Sequence, residues 1–261
     1  MSKTRRKKRF NPFPGLRPFG ADEDYLFFGR EQEIAQLLTL LRENRFLGVV
    51  GTSGSGKSSL VRAGLLPELL GGGMSGTGSA WEALTMRPAG APLLNLAKAF
   101  CEAGLYDAEE PDALPQLQAT LNRSRSGLVE AARQSDLESD TQLVVLVDQF
   151  EEIFRMEERG ASGLDEARAF VRLLIEASEQ QEVPIYIVLT MRSDYIGDCA
   201  KFTGLAEAIN RGEYLIPKFS RDQLQAAIEG PVKVGGGAIA FRLVQRLLND
   251  VGDAQDQLQN S

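Results

Sequence analysis

The sequence predicts an α/β fold in which a mostly parallel, five-stranded sheet lies between layers of helices. Segments with the composition of strands alternate along the chain with segments of helical apolar spacing, as is typical of parallel sheets. The segments 142–148 and 184–191 are apolar on both faces, as in strands covered on both sides. Residues 51–58 read GTSGSGKS, which matches the phosphate-binding loop pattern G-x-x-x-x-G-K-[ST] between a strand and a helix.

Each predicted strand is a short apolar run. The first directly precedes the glycine-rich loop, the second ends before Pro88, which disfavours its continuation, and the third ends in Asp148. The predicted strands cover residues 46–50, 81–87, 142–148, 184–191 and 214–216.

Helices are predicted where apolar residues recur on one helix face. Ser220 and Gln223 have the spacing of a capping box and begin a helix, whereas Pro231 and Gly235–Gly237 predict a break. The other predicted helices begin at Lys57 or cover residues 31–44, 93–103, 149–158, 164–179 and 241–251.

Four segments fall outside this pattern. Residues 1–9 carry six basic residues and predict a disordered tail, or alternatively a tail that binds anionic lipid or nucleic acid. Residues 10–30 are rich in aromatic residues and are expected to pack on the core. Residues 71–79 predict a flexible loop, and the polar segment 104–141 is expected to be partly helical and peripheral.

Composition excludes several function classes. The chain has 261 residues, a net charge of −7 and no histidine, so a histidine-based triad is excluded, and two isolated cysteines do not suggest a zinc site. The acidic balance argues against general nucleic-acid binding, since such binding needs a basic surface. Because we find neither a signal peptide nor an apolar run long enough to span a membrane, we expect a cytoplasmic protein.

The glycine-rich loop has the chemistry to hold a nucleotide. Gly51, Gly54 and Gly56 allow backbone N–H groups to turn towards phosphate oxygens, although a ligand-free strand–helix turn has a similar composition. We expect Lys57 to reach the β- and γ-phosphates and the Ser58 hydroxyl to bind Mg²⁺. The predicted nucleotide contacts of the loop are Gly51, Thr52, Ser53, Gly54, Ser55, Gly56, Lys57, Ser58 and Ser59.

Acidic residues follow the third predicted strand. Asp148 stands where a Mg²⁺-facing carboxylate belongs, and Glu151 or Glu152 is in position to orient or deprotonate an attacking water. An acid-rich helix start, which the helix dipole favours, explains the same two glutamates without catalysis.

Arg192 follows the fourth predicted strand and is expected to contact the γ-phosphate, unless it only pairs with Asp194. No Asn-Lys-x-Asp sequence, the guanine-selective motif of GTPases, is present. Adenine is therefore the predicted base, and ATP or ADP with Mg²⁺ the predicted cofactors.

Several motifs together resemble the STAND class of signal-transduction ATPases, which are related to AAA+ proteins, and specifically its bacterial novel STAND branch. The resemblance covers about residues 10–258. Besides the glycine-rich loop, it is carried by PGLRPF at 14–19, YLFFGREQE at 25–33, VDQFEE at 147–152 and LTMRSD at 189–194.

The resemblance implies roles for these residues. Phe28, Gly29 and Arg30 would pack near adenine, Asp148 would be the metal acid, and Arg192 would sense the γ-phosphate. Gln149 departs from the AAA+ pattern, which has glutamate after the metal acid, so slow hydrolysis is expected.

The resemblance also implies a switch, in which ADP holds a closed monomer and ATP drives self-association, with sensor or effector domains outside this chain. Residues 10–219 would form the NTPase domain, and residues 220–261 would form part of a helical lid. The lid is expected to be incomplete, because the sequence departs from the family pattern after Asp253. The chain would then be either a fragment or a natural truncation. Two other functions stay open: a nucleotide-binding interaction module with little turnover, and an AAA+-like ATPase that acts on nucleic acid.

Overall fold

The computed structural model describes residues 11–74, 80–107, 109–110 and 112–257, and the side chains up to Val251. The predicted tail at 1–9, most of the predicted loop at 71–79 and the last four residues of the lid segment lie outside the described residues. Within these ranges, no helix is both long and apolar enough to cross a membrane.

Five parallel strands form a single sheet in the order β2-β3-β4-β1-β5, which confirms the predicted fold class. Because all of these strand pairs are parallel, the carboxyl ends of the central strands β1, β3 and β4 point towards one shared edge. The strands are β1 (Phe46–Gly51), β2 (Trp81–Met86), β3 (Gln142–Val147), β4 (Ile185–Arg192) and β5 (Glu213–Leu215).

Helices cover both faces of the sheet. The helix after the glycine-rich loop is continuous, but its middle turn, Leu60–Leu65, is a π-helix. The α-helices are α1 (Glu31–Asn44), α2 (Lys57–Ser59), α3 (Leu66–Leu70), α4 (Pro92–Glu102), α5 (Ala113–Arg123), α6 (Gly127–Gln134), α7 (Ala161–Glu179), α8 (Leu205–Arg211), α9 (Arg221–Val234) and α10 (Phe241–Gln257).

Three further segments are 3₁₀ helices: Ala21–Leu26, Phe150–Arg159 and Ser193–Lys201. The second replaces the regular helix predicted at 149–158. It begins after Gln149, whose left-handed backbone (φ 58°) turns the chain sharply at the end of β3.

Two apolar clusters lie on opposite faces of the sheet, and alternate residues of each central strand belong to different clusters. In β3, Val145 and Val147 face one cluster while Val144 and Leu146 face the other. This division explains why the central strands are apolar throughout.

The segment 104–141 is not peripheral, contrary to the prediction. Leu117 and Leu121 of α5 and Leu128 of α6 are at most 2% exposed and belong to the larger apolar cluster. Both helices are short and mostly polar, so their few apolar residues give only a weak periodic signal in the sequence. These apolar residues are nevertheless buried in the core.

The break predicted at Pro231 and Gly235–Gly237 is confirmed at the glycines but wrong at Pro231, because α9 continues through this proline to Val234 and ends at Gly235. Proline removes one backbone N–H from the helix, but Pro231 is the buried residue of α9, so its ring lies on the side that packs against the protein. α10 then lies against α9 and buries Val244 and Leu248.

The position of α5 in the core yields a test of stability. We expect Leu121→Ala to lower the free energy of unfolding by about 2–5 kcal/mol, because it removes a side chain that is 1% exposed. The matched control is Leu70→Ala, since Leu70 is 47% exposed and its truncation leaves no cavity. Equal losses for the two variants in urea unfolding would contradict the placement of α5.

Candidate active site

A cleft of about 430 Å³ lies at the carboxyl ends of the central strands. The glycine-rich loop forms its floor, and Arg87, Gln149, Thr190 and Arg192 come from the ends of β2, β3 and β4. Residues 15–18 of the PGLRPF segment form the opposite wall. Ligands in open parallel sheets bind at this edge, so the fold places the predicted residues where a ligand is expected.

The glycine-rich loop owes its shape to two left-handed residues, Gly54 (φ 76°) and Gly56 (φ 88°). No atom lies within 4 Å of the position that a Cβ would take at either glycine, so a side chain would not clash there. Glycine is favoured at these positions because of the positive φ. Gly51 differs, because a Cβ there would lie 2.7 Å from the Ser55 hydroxyl.

Lys57 is held against the loop that precedes it. Its ammonium group donates hydrogen bonds to the carbonyl oxygens of Gly51 (2.9 Å) and Thr52 (2.7 Å). Burial lowers the pKa of Lys57, while the nearby charge of Glu151 opposes this shift. The amine is therefore fixed at the floor of the cleft.

Asp148 lies directly after β3 and is completely buried. One carboxylate oxygen accepts hydrogen bonds from Thr190 (2.6 Å) and Ser58 (2.7 Å). The other oxygen lies 2.9 Å from the guanidinium of Arg62 and 3.6 Å from that of Arg87. Burial by itself raises the pKa of Asp148, but these hydrogen bonds and positive charges outweigh it, so the pKa lies below its ordinary value.

Three of these partners were not predicted. Thr190 is the single serine or threonine in β4, and that isolated polar position was a usable signal. Arg62 and Arg87 gave no signal, because a sequence does not show which charges meet across a sheet edge.

The donor set fits a Mg²⁺ ion. The Ser58 hydroxyl and the Asp148 carboxylate are hard oxygen ligands that lie together, and the second Asp148 oxygen, although buried, accepts no hydrogen bond from the residues that the structure describes. Among the described residues, no group of three or more His, Cys, Asp or Glu side chains surrounds a metal position. A cation here would therefore complete its coordination with water and phosphate oxygens.

The structure separates the two candidate glutamates. Glu151 lines the cleft, is 8% exposed and has one buried carboxylate oxygen that accepts no hydrogen bond from the described residues. Glu152 instead accepts a hydrogen bond of 2.8 Å from the backbone N–H of Ala89 and lines a separate depression. The left-handed Gln149, whose N–H donates to the Thr190 hydroxyl (2.9 Å), sets this orientation.

Arg192 ends β4 and lines the cleft. It also forms two hydrogen bonds with Asp194, of 3.0 and 2.5 Å, which raise the pKa of Arg192 and lower that of Asp194. The two sequence-based alternatives are thus compatible, since the arginine is both paired and exposed to the cleft.

Arg30 is enclosed and does not line the cleft. It is 3% exposed, its guanidinium stacks 3.6 Å from the ring centre of Phe219, and it donates to the carbonyl of Pro217 (3.0 Å). It also pairs with Glu33 at 2.8 Å, and the same carboxylate oxygen accepts a hydrogen bond from Gln223 of α9. Arg30 therefore joins α1 to the start of α9.

Phe28 and Gly29 complete this junction. Gly29 is left-handed (φ 84°), and a Cβ there would lie 2.4 Å from the carbonyl oxygen of Gln223. Phe28 packs so closely on Gly230 that a Cβ on that glycine would lie 2.4 Å from the ring. The contact of these residues with adenine stays a prediction, whereas their contact with α9 is present.

The family model described as Novel STAND NTPase 1 matches residues 12–259. The chain belongs to this family. As a member, it is a P-loop NTPase, and the cleft is its candidate nucleotide site.

Solved structures agree on the fold. The ORC2 protein of Aeropyrum pernix, solved in ADPNP–ADP complexes, has a TM-score of 0.54 and 14% identity over 85% of this chain and 55% of its own. The Walker-type ATPase paby2304 of Pyrococcus abyssi has a TM-score of 0.52 and 16% identity over 90% of this chain and 65% of its own. The chain thus spans just over half to two thirds of these proteins, and at such identities the likeness concerns the fold. A comparison with curated proteins gave no match.

The junction at Arg30 yields a second test. We expect Arg30→Ala to lower the free energy of unfolding by about 3–5 kcal/mol, because it leaves the buried Glu33 carboxylate without its charged partner. Arg133→Ala is the matched control, since Arg133 is 62% exposed in its pair with Glu182 and its loss should cost less than about 1 kcal/mol. Similar losses for both variants would show that Arg30 has no structural role at α9.

Proposed function

We propose that this NTPase binds Mg²⁺-ATP in the cleft and hydrolyses it slowly. The observation that carries the proposal is the 2.7 Å contact between Ser58 and Asp148 in a cleft that Lys57 and Glu151 also line. Transfer of a phosphoryl group to water requires a loop that holds the phosphates, oxygen ligands for a metal ion and a group that orients the water. The glycine-rich loop, Ser58 with Asp148, and Glu151 are the candidates for these three parts. Adenine is supported by the lack of an Asn-Lys-x-Asp sequence.

In the proposed reaction, the oxygen of a water molecule attacks the γ-phosphorus while the bond to the β,γ-bridging oxygen breaks. Glu151 accepts a proton from the water, and ADP and inorganic phosphate are the products. Lys57 and Arg192 offset the charge on the phosphate oxygens. A bound Mg²⁺ would be held by Ser58 and Asp148 and would supply charge neutralisation at the β- and γ-phosphates.

We further propose that nucleotide state is passed to α9 and changes self-association in a signalling or defence role. Support comes from the junction of Phe28, Gly29 and Arg30 with α9, since this segment is continuous with the PGLRPF wall of the cleft. Gln149, in place of the AAA+ glutamate, supports slow turnover. A slow hydrolysis step suits a switch because the ATP-bound state then lasts.

A binding module with little turnover is the second candidate. It is favoured by the ion pair between Arg62 and Asp148, because a guanidinium beside the carboxylate competes with a metal ion for the same charge.

Phosphate release measured with matched variants tests the proposal. Glu151→Gln should bind ATP as the wild type does and lower the hydrolysis rate by about 10²–10⁴-fold, because the amide does not accept the proton. Glu152→Gln, which differs by one position and faces away from the cleft, should retain the wild-type rate. Lys57→Ala should abolish ATP binding in calorimetric titration.

Each outcome has a separate meaning. If wild-type protein binds ATP but releases phosphate no faster than Glu151→Gln, the binding module replaces the ATPase. If only Glu152→Gln loses activity, Glu151 is not the base. Unchanged ATP affinity in Lys57→Ala would refute the nucleotide site itself, and stimulation of turnover by DNA would favour an ATPase that acts on nucleic acid.

A further inference from the structure

Four arginines lie beside Asp148 or line the cleft, and they differ in how their charge is used. Arg17 donates two hydrogen bonds to Glu23. Arg192 donates two hydrogen bonds to Asp194, from Nε and from one terminal nitrogen of its guanidinium. Arg62 lies 2.9 Å from Asp148 and is 26% exposed. Arg87 lies 3.6 Å from Asp148, its side chain is 42% exposed, and its guanidinium makes no hydrogen bond to any described residue. Arg87 thus has the most unshared positive charge facing the cleft.

The backbone at Arg87 is fixed in front of the cleft. Met86 of β2 pairs with Val147 of β3, and the N–H of Asp148 donates to the Met86 carbonyl (2.9 Å), so Arg87 lies level with Asp148 on the neighbouring strand. The carbonyl of Arg87 accepts a hydrogen bond from Asn95 (3.1 Å). A guanidinium on a backbone held in this way loses little freedom when it binds a ligand.

We propose that Arg87 binds the terminal phosphate of the bound triphosphate and so distinguishes ATP from ADP. This inference rests on the proposed function. The metal acid of a P-loop site lies beside the β- and γ-phosphates, and Arg87 neighbours that acid in the same cleft as Glu151 and Arg192. A guanidinium with free donors can bind two phosphate oxygens at once. A terminal phosphate that Lys57 already contacts still has other oxygens that can accept these hydrogen bonds.

Contact of Arg87 with the phosphate would also separate two guanidinium groups that share one carboxylate oxygen of Asp148. Arg62 and Arg87 both form ion pairs with the same oxygen of Asp148, and Arg62 is the closer of the two, at 2.9 Å against 3.6 Å. Movement of Arg87 towards the phosphate leaves the Arg62 pair and the hydrogen bonds of Thr190 and Ser58 in place. Asp148 therefore keeps its position when Arg87 changes partner.

A competing explanation is that Arg87 belongs to the neighbouring pocket of about 470 Å³, which Arg62 and Lys98 also line. Lys98 provides the matched control because it is exposed, carries the same charge, and lines that pocket but not the cleft.

The test is calorimetric titration with Mg²⁺ and either ADP or a non-hydrolysable ATP analogue. Arg87→Ala should weaken binding of the ATP analogue at least about tenfold, as expected for the loss of a charge-assisted hydrogen bond, and change the affinity for ADP less than about twofold. Arg87→Lys should recover part of the loss, because it keeps the charge but not the paired donors. Lys98→Ala should bind both nucleotides as the wild type does.

Two results would overturn the inference while wild-type protein still binds ATP. One is an Arg87→Ala variant, folded by circular dichroism, with unchanged affinity for the ATP analogue. The other is an equal loss for ADP and the analogue, or an equal loss in Lys98→Ala, since either would indicate a structural or general charge effect. A wild type that binds neither nucleotide would refute the proposed function itself, and this inference with it.

Discussion

The arrangement of the cleft depends on the burial of one carboxylate. Asp148 has no exposed surface, so its charge must be compensated within the protein. Its partners come from the helix after the glycine-rich loop, from β4 and from the end of β2. The same group therefore fixes the relative positions of three neighbouring strands at the edge where the ligand is expected. The charged groups at this edge are therefore already held by contacts within the protein.

The second constraint lies on the other side of the glycine-rich loop. Arg30 and Glu33 form a buried pair whose geometry is completed by Gln223 of α9. A buried ion pair is a weak source of stability but a strict condition on geometry, since loss of either partner leaves an uncompensated charge. α9 therefore has one well-defined position against the first helix, and any change of that position must break polar contacts together.

Sequence patterns predicted the sheet because long apolar strands and the glycine-rich loop are local signals. All five strands appear where the composition indicated them, and Lys57, Ser58, Glu151 and Arg192 line one cleft beside Asp148. The core helices α5 and α6 were missed because a few leucines in polar surroundings give little periodic signal. Arg62, Arg87 and Thr190 were missed because their roles depend on contacts across strands. The sequence also left Glu151 and Glu152 equal, since only the backbone angle at Gln149 separates them.

That angle has a wider consequence. Gln149 is one of three described non-glycine residues with positive φ, beside Arg45 and Ala89, and it stands between Asp148 and a 3₁₀ helix. In a helix of three residues per turn, rotation by one position moves a side chain by about 120°. The phase of this single turn therefore decides which of two chemically identical acids reaches the cleft. Deletion of one residue before Glu151 would bring Glu152 to the position of Glu151 and leave the composition of the motif almost unchanged.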